Sequence, residues 1–136
     1  MLEYDDTEKS SNFNNVFYCK KLAGFLSKLV DKKDVTDPFV DVCLGKTKMA
    51  KTRVISNDLN PQWNEKFRLE VCHFANELKF EIRDKDHARQ EFIGSVEIPT
   101  ADLMTGEIIE DSFPIKKKNG SERGKLSIRI EFRYGY

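Results

Sequence analysis

The chain has 136 residues and a mass of 15.8 kDa, enough for one domain that buries roughly two thirds of the surface its unfolded form exposes. Lysine plus arginine equals aspartate plus glutamate at 23 each, so no global field favours nucleic acid or an anionic surface, and electrostatic function must come from local segregation of charge. No stretch reaches the ~20 apolar residues that span a bilayer and no N-terminal run resembles a signal peptide, so any membrane is expected to be met from the cytosolic side.

Residues 1–13 (MLEYDDTEKSSNF) are polar and acidic without sustained periodicity and read as a flexible lead-in, with a single domain expected over 14–136. From Asn14 onward, runs rich in β-branched and aromatic residues recur between Gly, Pro, Asn and Asp: NVFYCKKL, PFVDVCLG, KTRVIS, EKFRLEV, ELKFEIRD, FIGSVEIP, SFPI and KLSIRIEFRY. Runs at this spacing predict an all-β, eight-stranded antiparallel sandwich. Cys19, Cys43 and Cys72 fall in or beside these runs, lack zinc or redox spacing, and are expected as reduced, small apolar side chains.

Ala23 to Asp31 (AGFLSKLVD) departs from the alternation. Its apolar residues Phe25, Leu26, Leu29 and Val30 are spaced like one helix face, which predicts a short helical insert between the first two strands. Further on, Leu78, Phe80 and Ile82 alternate with Lys79, Glu81 and Arg83, and Leu126, Ile128, Ile130 and Phe132 alternate with Ser127, Arg129, Glu131 and Arg133. Each of these strands should have one buried face and one wet face. Thr100 to Met104 after Pro99 predicts a capped helical turn, and Lys118-Asn119-Gly120-Ser121 a tight hairpin turn.

The acidic residues are placed more tellingly than they are counted. Asp84 and Asp86 continue the line of Leu78, Phe80 and Ile82 past the end of the apolar run, so both carboxylates should stand at a rim, about 7 Å apart along the chain. Asp37 precedes Pro38, which forces it into extended geometry at the mouth of a strand, and Asp31 lies on the other side of the same loop. Glu91 precedes FIGSVEI. Five carboxylates at strand boundaries suit a hard divalent ion, which takes six to eight oxygen ligands. Periodicity alone leaves open whether the two loops share an end of the sandwich.

The ordered segments TDPFVDV, NDLNPQWNEKF, ELKFEIRDKD and EFIGSV resemble those of a C2 domain, the calcium- and phospholipid-binding β-sandwich, and span most of residues 31–98. LAGFLSKLVD, CHFANELKFEIRD, IPTADLMTGE and KLSIRIEFRY are further similar to the N-terminal C2 domains of plant-type phospholipase D. The resemblance implies a Greek-key sandwich whose first and last acidic loops meet and share Ca²⁺ as cofactor, with Asp31, Asp37, Asp84, Asp86 and Glu91 as ligands. Glu91 stands where Asp is usual in the family. A long strand closes the chain and none precedes Asn14, so the topology with the eighth strand at the C-terminus is expected, the helical insert then falling in the first calcium loop.

The function so implied is calcium-dependent binding to anionic phospholipid membranes, rich in phosphatidylserine or phosphoinositide, by a cytoplasmic monomer recruited peripherally on a calcium rise. Val35, His87, Ala88 and Arg89 at the loop tips would contact the membrane, and Lys46, Lys48, Lys51 and Arg53 form either a solvated basic face or a phosphoinositide site. Alternatives are a calcium-independent docking module for protein or phosphoinositide, and a detached regulatory domain of a lipid-modifying enzyme. Neither His73 nor His87 sits in a metal-ligating spacing, Trp63 reads as packing at a strand start, and Lys116-Lys117-Lys118 reads as solvated. No nucleophile elbow, phosphate-cradling glycine loop or His-Xaa-Lys element is found, so the chain is expected not to be an enzyme.

Overall fold

Alternation along the chain becomes a layered core. Leu78, Phe80 and Ile82 are fully buried while Lys79, Glu81 and Arg83 face outward, and Leu126, Ile128, Ile130 and Phe132 line the opposing layer. The computed structural model describes residues 15–26, 37–71, 74–85 and 90–134. Its elements are β1 (Val16–Leu26), β2 (Pro38–Leu44), β3 (Thr47–Lys51), β4 (Phe67–Glu70), β5 (Glu77–Lys85), β6 (Gln90–Pro99), α1 (Thr100–Leu103), β7 (Ile109–Lys116) and β8 (Glu122–Arg133).

The strands pair antiparallel in the order β3-β2-β5-β6-β7-β8-β1-β4. Between β6 and β7 the register holds one pair, Ser95 with Lys116, and Pro114 nearby has no N–H to extend it. The sheet therefore divides at this seam into the layers β3-β2-β5-β6 and β7-β8-β1-β4. The C-terminal β8 lies between β7 and β1, as the topology expected from the sequence requires.

Three segments differ from expectation. The first is Ala23–Leu26, which continues β1 instead of starting a helix. A bulge between Lys20 and Ala23, with Lys21 at φ 59°, resets the alternation so that Leu22 and Leu26 enter the core and Phe25 is 55% exposed. Residues 27–31 of the predicted insert lie outside the described residues.

The second is β3, which occupies Thr47–Lys51, before the predicted KTRVIS run. The two-residue turn Gly45-Lys46 pairs Leu44 with Thr47 and so sets where the strand begins. Thr52–Ile55 still follows β2, but Thr52 Oγ1 accepts the Val40 N–H at 2.9 Å where a ladder carbonyl would stand. The third is the short helix, present as α1 but without a side-chain cap: Thr100 Oγ1 donates instead to Ala75 O at 2.9 Å.

Cys19 and Cys43 are buried in reduced form, and burial pushes the Cys19 thiol pKa up to about 12. Cys72 and His73 lie outside the described residues. Trp63 is fully buried within the loop between β3 and β4. Its backbone N–H donates to Leu22 O at 3.0 Å and its indole N–H to Pro38 O at 3.3 Å.

Two glycines near the β7–β8 hairpin separate conformational strain from contact. Gly120, at φ 90°, closes the turn through its N–H to Lys117 O at 2.9 Å, and a Cβ there would meet nothing within 4 Å. Gly124, at φ 120°, has no such room, because a Cβ there would be driven into the backbone oxygen of Phe25. Gly120→Ala should cost about 1–2 kcal/mol from the backbone alone. Gly124→Ala should cost at least twice as much; urea unfolding of both variants measures the difference.

Candidate metal centre and basic face

Strand direction decides which ends meet. Pro38 opens β2 opposite Asp84 near the end of β5, Asp84 stands opposite Glu91 near the start of β6, and Gly124 near the start of β8 stands opposite Leu26 at the end of β1. Leu26, Asp37, Lys85 and Gln90, the described residues flanking 27–36 and 86–89, therefore stand with the 117–121 hairpin at one end of the sandwich. Asp37, Asp84 and Glu91 sit on three adjacent strand ends there.

The contact that joins the two acidic segments is short and directed. Asp84 Oδ1 accepts the Asp37 N–H at 2.9 Å, and Asp37 O accepts the Lys85 N–H at 3.0 Å. Asp37 Oδ1 in turn accepts the Asn57 N–H at 2.8 Å, tying the loop between β3 and β4 to the same rim. A carboxylate offers about four lone-pair sites, so one backbone bond does not exhaust it as a metal ligand. The donors are hard oxygens with no thiolate or imidazole among them, a chemistry that fits Ca²⁺ or another hard divalent ion.

Asp31, Asp86, Val35, His87, Ala88 and Arg89 lie outside the described residues. Among the described residues no three His, Cys, Asp or Glu side chains converge as a metal site. The structure thus brings Asp37 and Asp84 into one hydrogen-bonded unit and sets Glu91 beside it.

Arg123, on β8, was not singled out by the sequence. Burial pulls its guanidinium pKa down and the charge of Asp84 pushes it back up, and its Nε is buried without a hydrogen-bond partner. A guanidinium of the opposite layer therefore stands within electrostatic reach of Asp84. Nothing in the sequence marked it, because Gly124 beside it interrupts the alternation from which β8 was recognised.

The basic face is interleaved with acids. Asp41, 5% exposed, receives Lys48 Nζ at 3.1 Å and Arg83 Nε at 3.3 Å. Asp41 Oδ1 makes no directed hydrogen bond, so the Lys48 contact is one of charge. Arg53 lies 3.4 Å from Glu65, Arg68 lies 2.7 Å from Glu70, and Lys51 Nζ stands 4.7 Å from the Phe39 ring centroid. Lys46, at the β2–β3 turn, is exposed.

The sequence profile of the C2 domain matches residues 15–115. The chain belongs to the C2 domain family. Phospholipase D gamma 3 of Arabidopsis thaliana is 37% identical over 103 residues, covering 74% of this chain and 12% of that protein. A C2 domain of plant Extended Synaptotagmin 1 superposes with a TM-score of 0.74 at 25% identity, covering 91% of this chain and 97% of that one. The calcium-bound pair of C2 domains of Extended-Synaptotagmin 2 superposes with a TM-score of 0.71 at 23% identity, covering 90% of this chain and 46% of that one, which shows a shared fold. The chain thus spans about an eighth of the length of its phospholipase D relative. No helix among the described residues is long and apolar enough to cross a membrane.

The Asp37 clasp can be tested without any metal. Asp37→Ala leaves the exposed Asn57 N–H to water in place of its carboxylate acceptor, at a cost of about 0.5–1.5 kcal/mol. Amide exchange at Asn57 should accelerate about two- to twelvefold while amides in the centre of β5 follow only the global loss of stability.

Proposed function

We propose that this domain, residues 14–136 behind a lead-in at 1–13, is a non-enzymatic, monomeric module that docks on anionic phospholipid membranes when calcium is present. The observation that carries the reading is the direct bond from the Asp37 N–H to Asp84 Oδ1, with Glu91 opposite Asp84. On this reading Asp31 and Asp86 complete the rim from the two adjoining loops. Bound Ca²⁺ would supply positive charge and open coordination positions for lipid phosphate or carboxylate oxygens.

The chain's own residues set the terms of that event. With the rim empty, Asp37, Asp84 and Glu91 disfavour an anionic surface, and Arg123 offsets part of their charge. Asp37 and Asp84 are held by backbone bonds, so little ordering is needed when the rim is filled. Val35, His87, Ala88 and Arg89 add headgroup contacts but little apolar area, so binding should be salt-sensitive and reversible. The family's calcium-bound member and the phospholipase D relative support the reading. Recruitment would follow a calcium rise in the cytoplasm.

Phosphoinositide capture at Lys46, Lys48, Lys51 and Arg53 has less support. Lys48 and Arg53 already face Asp41 and Glu65, and their charge is largely spent locally.

Sedimentation with phosphatidylserine vesicles tests the proposal. The wild type should pellet in excess free Ca²⁺ and stay in solution with chelator, and Asp84→Asn combined with Asp86→Asn should abolish the calcium-dependent fraction. Equal pelleting in chelator and calcium would sink the reading.

A further inference from the structure

The seam between the two layers holds a groove of about 670 Å³, distinct from the acidic rim. It exists because β6 and β7 share only the Ser95–Lys116 pair, leaving Val96 and Glu97 to diverge from Phe113 and Pro114. Phe92 stands at its rim end, with Arg83 Cζ 5.6 Å and Lys118 Nζ 5.8 Å from the ring centroid. The groove lies across the layer from Lys46, Lys48 and Lys51, since β3 and β6 are opposite edges of it.

Its charge is unbalanced, unlike that of the β3 edge. The lining contains five cations and two carboxylates, Glu81 and Glu97. Glu81 is held by Arg83 at 2.7 Å and Lys79 at 3.8 Å, and Glu97 by Lys79 at 3.9 Å. The surplus falls on Lys116, Lys117 and Lys118. Lys116 reaches Glu122 at 3.8 Å with both side chains more than half exposed, a weak pair. The hairpin bond from the Lys117 N–H to Ser121 O, 2.8 Å, keeps the three lysines at the groove instead of on a loose tail.

We propose that this groove binds a compact polyanion carrying two or more phosphate groups. Three ammonium groups on one short segment suit several phosphate oxygens at once, and the cation-flanked Phe92 ring supplies an apolar wall for the body of the ligand. The volume admits a ring-sized molecule, and the opening at the rim allows either a soluble ligand or a lipid headgroup. The site shares none of its lining with the carboxylate rim and does not require calcium.

The test runs in chelator, so that its outcome is separate from that of the calcium reading. Calorimetric titration with soluble inositol trisphosphate near physiological salt should give saturable binding by the wild type. Lys117→Ala combined with Lys118→Ala should weaken it about thirty-fold, close to 2 kcal/mol at 1.4 kcal/mol per tenfold. Lys48→Ala combined with Lys51→Ala should leave it within twofold. Independently of any substitution, the Phe92 ring signals should shift on titration of the wild type. Vesicles containing phosphatidylinositol bisphosphate identify the source: pelleting that free inositol trisphosphate displaces indicates a lipid headgroup, and soluble binding without pelleting a free phosphate ester. No binding by the wild type, equal loss in the Lys48/Lys51 variant, or an unmoved Phe92 would overturn the proposal.

Discussion

Trp63 joins three segments that no strand ladder connects at the rim. Its backbone N–H reaches Leu22 O, its indole N–H reaches Pro38 O, and its ring lies 3.4 Å from where a Gly24 side chain would begin. One fully buried side chain thereby fixes the late part of β1, the loop between β3 and β4, and the mouth of β2. Asp37 precedes Pro38, so its position follows from the seat of the indole. The buried indole spends its one polar handle on the Pro38 carbonyl, which ties the mouth of β2 to the ring's position. Gly24 is small where the ring needs room, and Pro61 and Leu59 send their carbonyls to the N–H groups of Gly24 and Leu26, continuing β1 toward the rim by loop contacts.

Asp41 is the second organising element, on the outer face. A carboxylate only 5% exposed is costly without compensation, and Lys48 from β3 and Arg83 from β5 supply it from either side of β2. This arrangement holds the outer face of the layer together while neutralising its basic residues. A chain of zero net charge can still carry a strong local field, but the field moves: it is spent at the β3 edge and survives at the β6–β7 seam, where lysines outnumber their partners.

What could be read in the sequence was what depends on local pattern. β5 and the later part of β8 were plain because burial on one face imposes a period of two, and Asp37 and Asp84 were plain because Pro38 and the end of that period place them. The bulge at Lys20 to Ala23 was not, since it shifts the alternation and makes Phe25 and Leu26 resemble a helix face. Nor was the polar start of β7: Ile109 to Ser112 form a strand because Ile130 to Ser127 pair with them and Glu110 meets Arg129 at 2.8 Å. Partners far along the chain decide such segments. The Asn57 bond to Asp37 and the approach of Arg123 to Asp84 are likewise long-range and left no local trace.

The rim and the seam groove share one end of the molecule, and their signs are opposite. Glu91 and Phe92 are consecutive residues of β6, so the acidic and basic sites adjoin through a single strand. Without a cation at the rim, its carboxylates would offset the lysines of the hairpin for any anionic surface approaching that end, since exposed charges closer than a Debye length of about 8 Å act on one another. Neutralising the rim removes the offset, so the same lysines attract more strongly without moving. Coupling of this kind requires no conformational change, only adjacency, and it is reciprocal: an anion in the groove would make the rim a better cation site.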